Sequence, residues 1–194
     1  MVTLGEIAEI RAGHAFRGAV TSEPEGQARV IQIRDADLSW GVNWNELQFC
    51  NPPGRKQPEW LRGGDIIFQA RGRKNFAIHL AELPFDHVVC TQHFFVIRVH
   101  DERFSPAFVE WQLNQSIAQE HLDACTPDTN SRSITTATIS TTPIAIACAE
   151  AQGKLEQLSV LSRREQQLFE ELVKNRQQQI AALADQILRG GRGA

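Results

Sequence analysis

A drifting stripe of apolar residues near the C-terminus predicts one long helix. Residues 149–188 contain no proline and are rich in Gln, Glu, Leu, Ala, Arg and Lys, which favour helices. Apolar residues recur three or four positions apart, as on one helix face. At 1.5 Å per residue the helix would be roughly 60 Å long, whereas a globular helix averages about three turns.

The stripe is narrow, and Arg176 and Gln179 interrupt it, so the helix is too polar to be buried on all sides. It either lies along its own domain or pairs with a second helix in a coiled coil. We favour the coiled coil and expect residues 147–189 to form a dimerisation helix, with residues 190–194 as a flexible tail. The predicted contact residues are Leu158, Leu161, Leu168, Leu172, Val173, Ile180, Leu183 and Ile187.

The chain before this helix predicts a mostly antiparallel, β-rich domain over residues 1–146, so the fold class is α+β. Thr3 and Glu6 have capping-box spacing and indicate a short helix over residues 2–10. Short runs rich in Val, Ile and Phe predict strands. These runs cover residues 28–33, 66–70, 76–80 and 88–99.

A second helix is predicted from Ser105, as N-cap, and Pro106, at the first helical position. Its apolar side would extend to Ile117. A Thr-rich segment, residues 134–146, is expected to return to the sheet and lead into the long helix. Three aromatic residues are expected to cover part of the core. They are Trp40, Trp44 and Phe49.

Composition allows one packed domain and the helix: the 194 residues are 42% apolar. Neither a run of eighteen apolar residues nor a signal-peptide leader is present, so we expect a soluble cytoplasmic protein with no membrane partner. The four separated cysteines are typical of reduced thiols. A net charge of −3 argues mildly against nucleic-acid binding, but basic residues cluster between positions 55 and 74.

Candidate chemistry is concentrated in residues 69–75. Guanidinium groups pair with guanine, and Asn or Gln amides pair with adenine, so this loop has the side chains that read DNA. A solvated hairpin tip explains the same residues, and spacing alone favours it slightly. A second polar loop, residues 126–133, has similar side chains. The predicted DNA contacts are Gln69, Arg71, Arg73, Lys74, Asn75 and Arg132.

Other motifs are weak. His87, Cys90 and His93 have metal-like spacing, but on a strand Cys90 would point away from the two imidazoles. Residues 51–54 (Asn-Pro-Pro-Gly) lack the aromatic residue that stacks on a flipped base in amino-methyltransferases. No phosphate-binding loop or hydrolase elbow occurs. We therefore predict no catalytic residues, metal or cofactor.

Six segments in order resemble type I restriction–modification specificity subunits. The resemblance covers nearly the whole chain, although no single segment is highly specific. It departs from the family at residues 146–152, where the usual prolines are missing. The similar segments are residues 3–7, 61–68, 91–98, 104–111, 133–144 and the long helix.

The resemblance implies a non-catalytic subunit that reads double-stranded DNA through a target recognition domain and positions methyltransferase and, through them, restriction subunits. The usual member has two recognition domains and two long helices, so this chain is similar to a half-length form. A homodimer would then read a split palindrome. The alternatives are a stand-alone dimeric DNA-binding regulator, an enzyme with an unrecognised site, and a coiled-coil module that ignores DNA.

Overall fold

The structure, a computed structural model, describes residues 1–54, 58–72, 74–126 and 132–190. The chain divides into two compact units, Met1–Gln157 and a second that begins at Leu158. The strands are β1 (Val2–Thr3), β2 (Ala8–Ala12), β3 (Ala28–Ile31), β4 (Ala36–Asp37), β5 (Gly41–Val42), β6 (Gln48–Cys50), β7 (Ile66–Gln69), β8 (Arg71–Gly72), β9 (Ala77–His79), β10 (Val88–Cys90), β11 (Phe94–Val99), β12 (Arg132–Ser133) and β13 (Pro143–Ile144). The α-helices are α1 (Leu4–Ile7), α2 (Pro106–Leu113), α3 (Ser116–Ala124), α4 (Thr136–Ser140) and α5 (Ala149–Gly190).

A four-stranded antiparallel sheet in the order β2-β11-β7-β9 lies at the centre of the first unit. All four residues of β7 are buried, because this inner strand carries a hydrophobic cluster on each face. Phe68 belongs to one cluster, with α1 and α2, and Ile67 belongs to the other. The sheet therefore holds β7 rigidly, and with it the loop that follows Gln69.

A three-stranded sheet, β10-β3-β6, packs beside it and contains a parallel pair, β10 with β3. The remaining pairs are short and antiparallel: β1 with β13, β4 with β5, and β8 with β12. The predicted α+β class with antiparallel sheets and a long C-terminal helix is confirmed. One continuous, wholly antiparallel sheet is not what the chain forms.

The apolar run 88–99 is two strands and not one. β10 ends at Cys90 and β11 begins at Phe94, and the two strands belong to different sheets. Between them, Thr91-Gln92-His93 forms a tight connection in which the backbone N–H of Phe94 donates to the Thr91 carbonyl, 3.0 Å away. The polar character of these three residues is the signal that the sequence-based prediction passed over.

Two helix predictions need correction. The first helix stops at Ile7, and residues 8–12 continue as β2, although Glu6 does accept from the Thr3 backbone N–H at 2.6 Å as a capping box requires. The second helix begins after Ser105 as predicted but ends at Leu113, so Ile117 lies on α3 with 57% of its surface exposed.

The aromatic cover is only partly as expected. Trp44 packs against the second cluster, whereas Trp40 is 44% exposed and Phe49 is 36% exposed. Phe49 instead stacks on a guanidinium: Arg29 Cζ lies 4.4 Å from its ring centre and 3.5 Å from that of Phe85. The Thr-rich segment contributes the short helix α4 before β13 pairs with β1.

The helix α5 has 42 residues, and its first turns are fixed within the first unit. The Gln152 side chain is 4% exposed; its Oε1 accepts from Ser105 N at 2.9 Å, and its Nε2 donates to the carbonyls of Arg103 and Ala147, both at 2.8 Å. Leu155 packs against the first hydrophobic cluster. No helix in the described residues combines the length and apolarity needed to cross a membrane.

Candidate nucleic-acid interface

Three polar segments meet at one end of the four-stranded sheet. β7 ends at Gln69 opposite Phe94, the first residue of β11, so the loop after β7 and the turn before β11 are neighbours. The Ala70 backbone N–H donates to the His93 carbonyl at 2.9 Å, and the Ala70 carbonyl accepts from Ile134 N at 2.9 Å. β12 also pairs with β8, with Arg132 opposite Gly72. The loop of residues 69–75, here termed the reading loop, is thus supported from two sides.

Two buried amides close the reading loop. Gln69 is 5% exposed, and its Nε2 donates to the Lys74 carbonyl at 3.1 Å. Asn75 is 8% exposed, and its Nδ2 donates to the Gln69 carbonyl at 2.8 Å. Gly72 has φ +130°, and a Cβ there would lie 2.7 Å from Gln69 Nε2. The sequence therefore needs glycine at this position to let the loop pass over Gln69.

The predicted DNA contacts fall into two groups. Arg71 and Lys74 are exposed, whereas Gln69 and Asn75 are buried and donate from their amide nitrogens within the loop; Gln69 Oε1 has no hydrogen-bond partner among the described residues. We propose that these two amides act on DNA through the loop geometry that they maintain, and not by touching bases. Arg73 and the side chain of Arg132 lie outside the described residues.

We expect Gly72→Ala to reduce discrimination between DNA sequences by more than its loss of folding stability explains. The added methyl crowds Gln69, and the positive φ adds strain of about 1–3 kcal/mol. Gly41→Ala is the matched control, because Gly41 also has a positive φ (+81°) but a Cβ there meets nothing within 4 Å. Thermal unfolding and competition binding with different duplexes measure the two effects. Equal loss of sequence preference in both variants would contradict the role given to the Gly72–Gln69 contact.

The helix α5 presents a second candidate interface. All eight residues predicted to line the coiled-coil contact are exposed, from 49% at Leu168 to 73% at Ile187. Within the second unit, residues from Leu158 to Leu172 line an apolar groove of about 630 Å³. Large apolar side chains exposed in a continuous row indicate a surface that binds another protein segment.

Two of the cysteine thiols are buried in the first unit. Burial raises the pKa of the Cys90 thiol to about 12 and that of Cys50 to about 11, so both thiols stay protonated at neutral pH. Across residues 1–54, 58–72, 74–126 and 132–190, no three His, Cys, Asp or Glu side chains are grouped so as to hold a metal ion.

Comparison with solved structures identifies the fold. The S subunit of a type I restriction–modification system from M. genitalium superposes with a TM-score of 0.56 and 16% identity over 90% of this chain and 42% of that one. The HsdS subunit from Thermoanaerobacter tengcongensis superposes with a TM-score of 0.60 and 18% identity, over 86% of this chain and 43% of that one. A chain from a structure describing complex assembly of the type I restriction–modification system superposes with a TM-score of 0.54 and 16% identity, over 90% of this chain and 42% of that one.

The predicted resemblance to type I specificity subunits is therefore confirmed at the level of the fold. The chain spans less than half the length of each of these three structures. No protein-family model matches the sequence, and no curated protein is significantly similar to it. The likeness is one of fold, at sequence identities of 16–18%.

Proposed function

We propose that the chain is a DNA-recognition subunit of a type I restriction–modification system. Residues 1–146 form the target recognition domain, and residues 147–189 form the helix that pairs with a partner helix. The subunit itself has no catalytic role. It positions a methyltransferase subunit, and through it restriction subunits, on double-stranded DNA.

The shared fold is the observation that carries this proposal, since it extends over 86–90% of the chain. The reading loop adds a local reason. Its backbone is held by Gln69 and Asn75, while Arg71 and Lys74 stay exposed. Cations beside residues that are held by such bonds can approach a groove with a smaller loss of conformational entropy.

The apolar row on α5 supports pairing with a second copy of the chain. In a twofold dimer each copy would bury the same row, and the two reading loops would be related by the dimer axis. Two target recognition domains related in this way contact two separated half-sites, so the target is a split palindrome.

Reconstitution with a type I methyltransferase subunit from the same genome tests the function. We expect adenine or cytosine methylation at one interrupted palindromic sequence, and only when this chain is present. Sequencing that detects modified bases across a whole genome measures it. Methylation that is the same with and without the chain would contradict the proposal. Tight, sequence-specific DNA binding by a chain that never copurifies with the methyltransferase would favour the alternative, a stand-alone regulator.

Arg71→Ala is expected to cost about 1–3 kcal/mol in binding to the preferred site and to relax sequence preference, because a fork contact to a base is lost. Lys74→Ala is expected to weaken binding to all DNA sequences alike. The slope of log affinity against log salt should become less steep by the amount that one phosphate contact contributes. The control is Arg62→Ala, which removes an exposed cation at the opposite end of β7. If Arg71→Ala binds the preferred site as the control does, the reading loop does not contact bases.

A further inference from the structure

A pocket of about 270 Å³ is lined in part by the Thr91-Gln92-His93 turn. Its lining includes Phe16, Gln32 and Arg34 besides the three turn residues. The turn is built into both neighbours. The His93 carbonyl accepts from Ala70 N at 2.9 Å, and Gln92 Oε1 accepts from Phe16 N at 2.9 Å. The pocket therefore shares the end of the sheet that presents the exposed Arg71.

The chemistry of the pocket favours an anion. Each polar side chain among the described lining residues can donate a hydrogen bond, and none of those residues is acidic. Arg34 supplies a positive charge at the rim with 59% of its side chain exposed. Its acidic neighbour, Asp35, lies with Oδ1 3.5 Å from Arg34 Nε but turns Oδ2 back to accept from Gln32 N at 3.0 Å.

Two buried polar atoms of the turn lack partners among the described residues. They are Thr91 Oγ1, on a residue that is 5% exposed, and His93 Nδ1. Buried polar groups in folded proteins are nearly always hydrogen-bonded to protein, ligand or ordered water. A bound group, or a water molecule that it orders in the pocket, would supply the missing partners.

We propose that this pocket binds a phosphate group of the DNA backbone. The inference rests on the proposed function and deepens it: the reading loop contacts bases, and the pocket fixes the position of the strand beside it. Arg, Thr and Gln side chains are typical phosphate ligands in protein–DNA complexes, and such contacts set register without reading sequence. Arg34 adds a charge-assisted bond, and Phe16 forms part of the pocket wall.

Arg34→Gln and Thr91→Val test the pocket with little change in shape. We expect Arg34→Gln to weaken binding roughly tenfold for every DNA sequence and to leave the ratio of specific to non-specific affinity unchanged. The slope of log affinity against log salt should become less steep by about 0.9. Thr91→Val should weaken binding without changing that slope, because it removes a donor and no charge. Arg62→Gln is the control, with the same loss of charge at the far end of β7.

Duplexes with one neutral methylphosphonate locate the contact. Replacing the contacted phosphate should weaken binding by the wild type and have no further effect on Arg34→Gln. If every methylphosphonate position affects the wild type and Arg34→Gln equally, the pocket does not hold a phosphate. The same conclusion follows if Arg34→Gln and Thr91→Val bind as Arg62→Gln does, while Arg71→Ala still loses sequence preference; the proposed DNA recognition would then survive without the pocket.

Inorganic phosphate separates the remaining cases. At constant ionic strength, phosphate should raise the melting temperature of the wild type above that in chloride, and this difference should shrink in Thr91→Val and Arg34→Gln. Phosphate stabilisation of the pocket in a chain that binds no duplex would support an anion site and overturn the DNA function. An equal phosphate effect in all variants reflects general salting out and would overturn the pocket.

Discussion

Leu172→Glu is expected to leave the chain folded but monomeric and unable to bind a two-part DNA target tightly. Leu172 is 64% exposed in the row on α5. Burying a leucine contributes about 1.5–3 kcal/mol, and a twofold dimer loses that contribution twice. An unpaired carboxylate in the contact adds a desolvation cost. A loss of about 3–6 kcal/mol corresponds to more than a hundredfold weaker dimerisation. Sedimentation velocity over a range of concentrations measures it.

Gln178→Glu is the matched control for this change. Gln178 lies on the same helix and is exposed, but its position is about 120° around the axis from Leu172, outside the apolar row. Glu has a helix propensity close to that of both Leu and Gln, so circular dichroism should show equal helix content in the two variants. A Leu172→Glu chain that self-associates as strongly as Gln178→Glu would contradict pairing through this row.

Local signals in the sequence predicted local structure well. The capping pair Thr3–Glu6 and the Ser105–Pro106 helix start depend on residues three or fewer positions apart, and both helices begin where these signals indicate. The long helix needs only its own composition and spacing, and it forms from Ala149 to Gly190. In each case the signal that marks the element is contained in the element itself or in the residue next to it.

Long-range pairing is what the sequence did not reveal. β10 and β11 are three residues apart in the chain, yet β10 pairs in parallel with β3, about sixty residues earlier, because the polar turn between them redirects the chain. Hydrophobic content indicates that a segment is a strand, but it does not indicate which other strand pairs with it. Where two sheets divide one apolar run, only the turn residues carry the signal.

The candidate site shows the same limit. Residue type indicated that residues 69–75 can contact DNA, but Gln69 and Asn75 are equally suited to bond the backbone of a tight loop. Burial of Gln69 and Asn75 supports the second role, and burial depends on β11 and β12, which come from distant parts of the chain. The pocket at Arg34 depends on residues from three separate segments, so no single motif could indicate it.

Asp65→Ala is expected to destabilise the first unit by roughly 3–5 kcal/mol. The Asp65 side chain is 1% exposed and binds a guanidinium in two places: Arg98 Nε donates to Oδ1 at 2.7 Å and Nη2 donates to Oδ2 at 2.8 Å. Oδ2 also accepts from the Arg62 backbone N–H at 2.8 Å. Removing the carboxylate leaves the partly buried Arg98 guanidinium and the Arg62 backbone N–H without their partner. Thermal unfolding should show a melting temperature lower by about 10 °C.

Asp101→Ala removes a similar set of bonds at a site where the guanidinium partner, Arg103, has 66% of its side chain exposed. Asp101 accepts from Arg103 Nε at 3.0 Å, from Nη2 at 2.6 Å and from the Arg103 backbone N–H at 3.0 Å. Solvent replaces those bonds when the carboxylate is lost, so its melting temperature should change little. The contrast tests exposure of the ion pair, since Arg98 is 28% exposed and Arg103 is 66% exposed while the carboxylate accepts three similar bonds at both sites.

The turn in which Asp65 accepts from the Arg62 backbone N–H also connects stability to the proposed function. It begins β7, and the reading loop follows the other end of that strand, four residues later. The double variant Asp65→Leu with Arg98→Met should recover part of the lost stability, because replacing both members of a buried pair by apolar residues avoids an unpaired charge. A double variant less stable than Asp65→Ala would mean that Asp65 acts mainly through the Arg62 N–H, and that the turn rather than the ion pair fixes the start of β7.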